Sequence, residues 1–512
     1  MTTVVEIGKR NTNASGQWWE RRAFATMAAI LVCVPLLWPA VPPLTDVPGH
    51  IGRYRVMLDG STLPLSQWYH FHWRLIGNLG VDLIVAALAP GLGLEPAVKL
   101  VTIAIPAIGV VGALWLSREV HGRISPAAPF ALPLFYNQAF HTGFLNFSLA
   151  MGLSLSALAL WLRLGRLQRL RLRAAIFVPL SVMLWAIHIF GWAVLGLVAF
   201  AAGLAERGHP VRAALACLPL IAPVPLILFG GVGGGGATHD FFNIYEKLTW
   251  FMMIFRDRWM IWDVLSFAVL LALFCTVLHP RQMETAETLR NGALALFAAF
   301  MILPYWLFGS ALADTRLAAY AMMFAALSLR PKPTMNRRMA GLYAIVGLAF
   351  FVARIAGNTV SLAALDDRFT QELAAVDHLP AGSRVASLVS VSCDPIWKSA
   401  RLDHIGGLAL ARRRVFSDEQ WRNVGAPLMT INYPAARPFE ADPSQLMRCP
   451  DHRTLARVIS SIPRDAFDYL WLIDLPFMPP PTITGMTSIW HHERSALYRI
   501  EGPLPPKRPP LR

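Results

Sequence analysis

Apolar runs separated by short basic loops constrain this chain more than any other feature. From the N-terminus they cover Ala23–Val41, Val98–Ser117, Pro126–Phe140, Phe147–Trp161, Ala174–Ile187, Ile189–Leu204, Ala213–Phe229, Val264–Leu278, Ala293–Phe308, Leu317–Leu329 and Leu342–Ile355. In lipid each backbone polar group must be paired within its own segment, so runs of this kind cross as helices. The pattern predicts an α-helical polytopic membrane protein with about eleven transmembrane helices. Composition agrees. Hydrophobic residues make up 55% and charged residues only 15%, against about 25% charged in soluble domains. A net charge of +15 would suggest nucleic acid in a soluble protein. Here the basic residues sit in the loops, where they mark the cytoplasmic side and meet anionic lipid, so no nucleic-acid partner is expected.

Sidedness follows from the loops. Lys9, Arg10, Arg21 and Arg22 precede the first run, which is long for a signal peptide. It ends in Trp38, Pro42 and Pro43, a poor cleavage site, so an uncleaved span entering from the cytoplasm is expected. Leu79–Leu94 is apolar but short and broken by Asp82 and Pro90; it is expected to lie along the membrane surface. With it there, Arg118 and Arg123, the cluster from Arg163 to Arg173, Arg207 and Arg212, and the loop from Arg330 to Arg338 all fall inside. As one helix, Ala174–Leu204 would span about 46 Å, well beyond a ~30 Å hydrocarbon core. Two short helices hinged at His188 fit better. No internal repeat is visible, which counts against an inverted-repeat transporter.

After residue 357 the texture changes to mixed polarity with frequent Pro and Asp. Residues 1–357 are read as the transmembrane domain, with a first outer loop at 42–95. Residues 358–502 are read as a small extracytoplasmic α/β domain and 503–512 as a disordered Pro-rich, basic tail. Strands are expected at Arg384–Ser392, Tyr469–Leu475 and Ser495–Ile500, and helices at Thr370–Val376 and Thr454–Ser461. Cys393 and Cys449 are the two cysteines of this region and would pair in an oxidising compartment. Cys33, Cys217 and Cys275 lie in apolar runs and read as packing residues.

The densest set of ionisable groups lies in the first outer loop: Asp46, His50, Arg53, Arg55, Asp59, His70, His72 and Arg74. Asp46 falls just beyond the first span, at headgroup depth, where partial desolvation suits a proton-abstracting carboxylate. His50, four residues on, would share its face in a helix. Other polar groups map to the same leaflet: Tyr136, Asn137, His141 and Asn146, His188, Thr238-His239-Asp240, Arg256-Asp257-Arg258 and Asp314-Thr315-Arg316. Each alone reads more simply as an interfacial anchor. Together, at one membrane face, they form a candidate site, and arginines there suit phosphate recognition.

The layout resembles the GT-C membrane glycosyltransferases, whose bacterial members include protein O-mannosyltransferases and the lipid A aminoarabinose transferase. The resemblance rests on Thr45-Asp46-Val47-Pro48-Gly49-His50 with Arg53, on Gly143-Phe144-Leu145-Asn146-Phe147 and on Ile187-His188-Ile189-Phe190. The chain has one acid at this position where many members have two adjacent ones, and it lacks the Lys-Pro-Pro stretch of the aminoarabinose-type enzymes. The resemblance implies transfer of a sugar from a polyprenyl-phosphate donor to a glycan, lipid or protein acceptor at the periplasmic face of a bacterial inner membrane. It implies Asp46 as general base, Arg53 and Arg316 as phosphate partners, and His50, His141, Asn146, His188 and Asp314 as substrate-binding residues. No cofactor is implied and no metal-ligand spacing is present, although some members of the family use a divalent metal. A transporter or flippase of lipid-linked sugars would use similar groups, and a non-catalytic envelope-assembly protein is the third reading. A transporter would be expected to place its charges mid-membrane; here they gather at one face.

Overall fold

The structure, a computed structural model, describes residues 16–229, 236–391, 397, 400–422, 428–441, 446–448 and 451–502. Cys393, Cys449, the glycines at 233–235 and the tail 503–512 lie outside these residues. The protein is a polytopic helical membrane protein with a C-terminal sheet region. Among the described residues six helices are long and apolar enough to cross a membrane, or seven if the pair Pro210–Ala216 and Leu218–Leu228, bent by 58°, forms one span. The expectation of about eleven is therefore not matched by eleven helices of spanning length. Arg22–Leu37 is a shorter apolar helix, Glu287–Ile302 has 16 residues and Thr315–Ser328 has 14. Pro126–Phe140 is no α-helix: Ala128–Tyr136 winds as a wholly buried 3-10 helix. Pro129 and Pro133 fall within that segment, and proline supplies no N–H for an α-helical ladder.

The elements that position the site are few. Helix α1 (Val47–Asp59) follows Asp46 directly, with Pro48 in its first turn, where no N–H is required. Helix α2 (Gly80–Leu92) covers most of the expected surface segment, and α3 (Leu94–His121) follows it after a single glycine. Helix α4 (Leu145–Arg166) runs parallel to α3. At one end Arg166 donates to the Glu119 carbonyl at 2.7 Å and pairs with its carboxylate. At the other, Asn146 accepts from the Val81 N–H at the start of α2. Two parallel neighbours require the chain between them, 122–144, to travel back the length of the bundle. Arg123, the Arg163–Arg173 cluster and Arg330–Arg338 therefore share one end, with Arg330 paired to Glu284 across the short strand pair Met283–Thr285 and Leu329–Pro331.

Helices α5 (Leu170–Ile187) and α6 (Ile189–Arg207) break at His188, whose backbone is extended. The break is stitched by the chain just before α2. Leu79 N–H donates to Ala186 O at 2.8 Å, and Ile189 N–H donates to Gly77 O at 2.9 Å. Backbone groups that the broken helices leave unpaired are thus satisfied by chain 107 and 112 residues away.

Helix α7 (Arg337–Leu373) has 37 residues, about 55 Å at 1.5 Å per residue, so it continues past the bundle and past position 358. The expected short helix at Thr370–Val376 is the end of this one, followed by a 3-10 turn. The sheet beyond it has strand order β2-β1-β4-β6-β5, where β1 is Arg384–Val391, β2 Phe416–Ser417, β4 Tyr469–Ile473, β5 Met486–His492 and β6 Ser495–Ile500. The remaining strand, β3 (Leu446–Arg448), also pairs with β1. Its first half is parallel and its second half antiparallel. The sheet region also reaches back to the first outer loop, where Tyr69–Phe71 pairs antiparallel with Met429–Ile431.

Candidate functional site

The site begins with a backbone clamp. Thr45 N–H donates to His141 O at 3.2 Å and Asp46 N–H donates to Thr142 O at 2.8 Å, fastening the residue before α1 to the turn before α4. Gly143 closes that turn at φ +102°, and a Cβ there would stand 3.0 Å from Asp46 N. Only glycine accepts both the left-handed backbone and the close approach. Asp46 precedes the first turn of α1 without capping it by its carboxylate. That carboxylate faces a cavity of about 160 Å³. His50, Arg53 and Tyr54, one and two turns further along the same face, line the cavity too.

Helices α4, α5 and α6 supply the opposite walls through Phe144, Asn146, Phe147 and His188. His188 Nδ1 accepts the Phe190 N–H at 3.1 Å and so caps α6. The Arg316 guanidinium lies 4.1 Å from the Phe144 ring centre, with Phe147 and Phe190 near 6 Å. It donates to Ser310 Oγ at 3.0 Å and Ala311 O at 3.2 Å, while its buried Nε has no acceptor among the described residues. Arg316 and Asp46 interact electrostatically. Burial, with Arg53 alongside, pushes the His50 imidazole down to about 3, so it is neutral at pH 7 and offers one donor and one acceptor.

Arg53 is held by Asp82 at 2.5 Å, and Asp82 also accepts from Asn146 Nδ2 at 3.0 Å. Asp82 is fully buried. It entered the sequence reading only as a break in an apolar segment, yet it fixes Arg53 and Asn146 together. An acid inside an otherwise apolar helix was the available signal. Trp421 was missed altogether. It belongs to the C-terminal region, packs so closely on Gly49 that a Cβ there would fall 2.3 Å from its ring, and closes the cavity with Leu428 and Met429.

Two expected site residues lie elsewhere. His141 points away from the cavity toward Asp257, 3.9 Å off, within a buried network. There Arg401 bridges Asp257 and the His141 carbonyl, and Arg354 pairs with Asp263. The His141 backbone thus serves the Asp46 clamp while its side chain does not reach the cavity. Asp314 is consumed by structure: it pairs with Lys247 at 2.5 Å and caps the helix Thr315–Ser328 by accepting from Thr315 N–H. Asp59 binds Arg55 and Arg414. Among the described lining residues, Asp46 is the only acid.

Known proteins can now be set beside this geometry. The fold is similar to the crystal structure of ArnT from Cupriavidus metallidurans bound to undecaprenyl phosphate, at 11% identity and a TM-score of 0.46, over 93% of this chain and 97% of that one. No family model matches the chain, and no curated protein matches it in sequence. Among the described residues no three His, Cys, Asp or Glu groups gather in a metal-binding arrangement.

Proposed function

We propose that the protein is a membrane glycosyltransferase that moves a sugar from a polyprenyl-phosphate carrier to an acceptor hydroxyl at the cavity around Asp46. The observation that carries this reading is that one cavity holds a single acid among its described lining residues, Asp46, together with the buried Arg316, with which it interacts electrostatically. Transfer would form a bond from the acceptor oxygen to the anomeric carbon as the bond from that carbon to the phosphate oxygen breaks. Asp46 takes the acceptor proton, and the departing phosphate takes the electron pair and a unit of negative charge. Arg316, stacked among phenylalanines, meets that charge where water is scarce and fixed donors act most strongly. Arg53, oriented by Asp82, is the second cation. His50 and His188 orient the sugar or the acceptor, and Trp421 offers an aromatic face for a sugar ring.

Undecaprenyl phosphate tests the phosphate role directly. Arg316→Gln is expected to weaken its binding to the purified protein about 10- to 100-fold, the size of a lost charge-assisted contact. Unchanged affinity would remove Arg316 from the site.

In this reading the basic end of the bundle is cytoplasmic, and Asp46 with the sheet domain is periplasmic. Single cysteines at the exposed positions Gln168, Thr334 and Ser460, in a background with the native cysteines replaced, report it. A membrane-impermeant thiol reagent on intact cells with a permeabilised outer membrane is expected to label only the third. Labelling at 168 or 334 would invert the topology.

A further inference from the structure

A second cavity, of about 510 Å³, opens at the opposite, basic end of the bundle. Its volume is within the range that holds small ligands. Its walls come from three parts of the chain: the N-terminal segment at Trp19 and Glu20, the end of α3 at His121 and Arg123, and the strand pair carrying Glu284, Arg330 and Lys332, with Arg337 at the start of α7. The strand pairing, Glu284 opposite Arg330, gives that wall a fixed backbone. Four cations therefore face one space with two carboxylates. Glu20 stands 3.8 Å from Arg123 and Glu284 holds Arg330 through Nε at 2.8 Å, while Arg337 makes no ion pair among the described residues.

The positive excess alone would be a solvated loop face. What marks a built site is Trp19. Trp19 is 3% exposed, it lines the cavity, and its indole Nε1 is buried with no acceptor among the described residues. A buried N–H without a partner costs roughly 1–3 kcal/mol, and an indole can only donate. An indole N–H calls for an acceptor, and the cations that line the same cavity favour an anionic one. Arginines present planar pairs of donors that fit phosphate oxygens. His121, whose ring lies within electrostatic reach of Arg123 and Arg330, donates from Nε2 to Leu327 O at 2.8 Å and lines the same space. No group in this cavity belongs to the Asp46 site.

We infer that this cavity binds a phosphate group, supplied by the headgroup of an anionic phospholipid, and that the bound phosphate ties the N-terminal segment to the loop between Thr315–Ser328 and α7. Thermal unfolding of the purified full chain in detergent tests it, with phosphatidylglycerol added in place of phosphatidylcholine. The unfolding temperature of the wild type is expected to rise by about 3 °C. The double variant Arg330→Gln/Arg337→Gln should lose at least half of that rise, and Trp19→Phe, which removes only the N–H donor and part of the ring, should lose part of it. Arg316→Gln, at the other site, should keep it. Inorganic phosphate reproducing the rise in the wild type alone would keep the phosphate site but make its occupant the free ion. An equal rise in the double variant, or equal temperatures in both lipids with no effect of phosphate, would overturn the site.

Discussion

Asp46→Asn is expected to abolish sugar transfer, by about a thousandfold or more, while leaving folding and carrier binding intact. General-base catalysis by a positioned side chain typically contributes about 10²–10⁴-fold, and no other acid lines the cavity among the described residues to take over. The substitution is nearly isosteric. The clamp uses Asp46 N–H to Thr142 O, and the first turn of α1 uses Asp46 O to His50 N–H; both are backbone bonds that asparagine keeps. Transfer from a radiolabelled polyprenyl-phosphate sugar pool in membranes, alongside thermal unfolding of the purified variant, separates the two properties. Activity within tenfold of wild type would remove Asp46 as the base. Inactivity accompanied by a large loss of stability would make it a structural residue.

The second large effect belongs to Asp314, where sequence and structure part. Lys247 and Asp314 are each no more than 3% exposed and form an ion pair completed by three further bonds. Lys247 also donates to Phe300 O and Leu303 O, and Asp314 accepts from Thr315 N–H. Removing one partner strands a buried charge, which costs about 3–5 kcal/mol. Asp314→Ala should therefore lower the unfolding temperature markedly and reduce activity only through lost protein. The double variant Lys247→Met/Asp314→Leu replaces the pair by apolar groups of similar size and should recover most of the loss, because coupled neighbours do not add. An Asp314→Ala protein of wild-type stability that no longer binds carrier would restore Asp314 to the substrate site.

Which parts of this were legible in the sequence depends on how local their causes are. The break at His188 was readable because one apolar helix of that length overshoots the bilayer, and the basic loops are readable because they share a face. Asp46 and His50 could be placed on one face because they lie four residues apart, a spacing that a helix brings together. Strands Arg384–Val391, Tyr469–Ile473 and Ser495–Ile500 and the helix His452–Ser461 carried their own apolar patterns. Spacing along the chain could not reveal which buried charges would find each other. His141 and Asp314 look like His188 and Arg316 in sequence, yet their partners, Asp257 and Lys247, come from the outer loop after the glycine run. Nor could Trp421 be found, since its place over Gly49 depends on how the sheet domain docks on α1. The nine-residue 3-10 segment at Ala128–Tyr136 was hidden by an apolar composition that suits a span equally well.

The most direct measurement is an experimental structure of the full chain in lipid nanodiscs with undecaprenyl phosphate at saturating concentration. Phosphate density is expected within hydrogen-bond reach of the Arg316 guanidinium, with Asp46 across the cavity on the side open to an acceptor and Trp421 above it. Phosphate density only at the basic end of the bundle, or none in the Asp46 cavity at saturation, would contradict it.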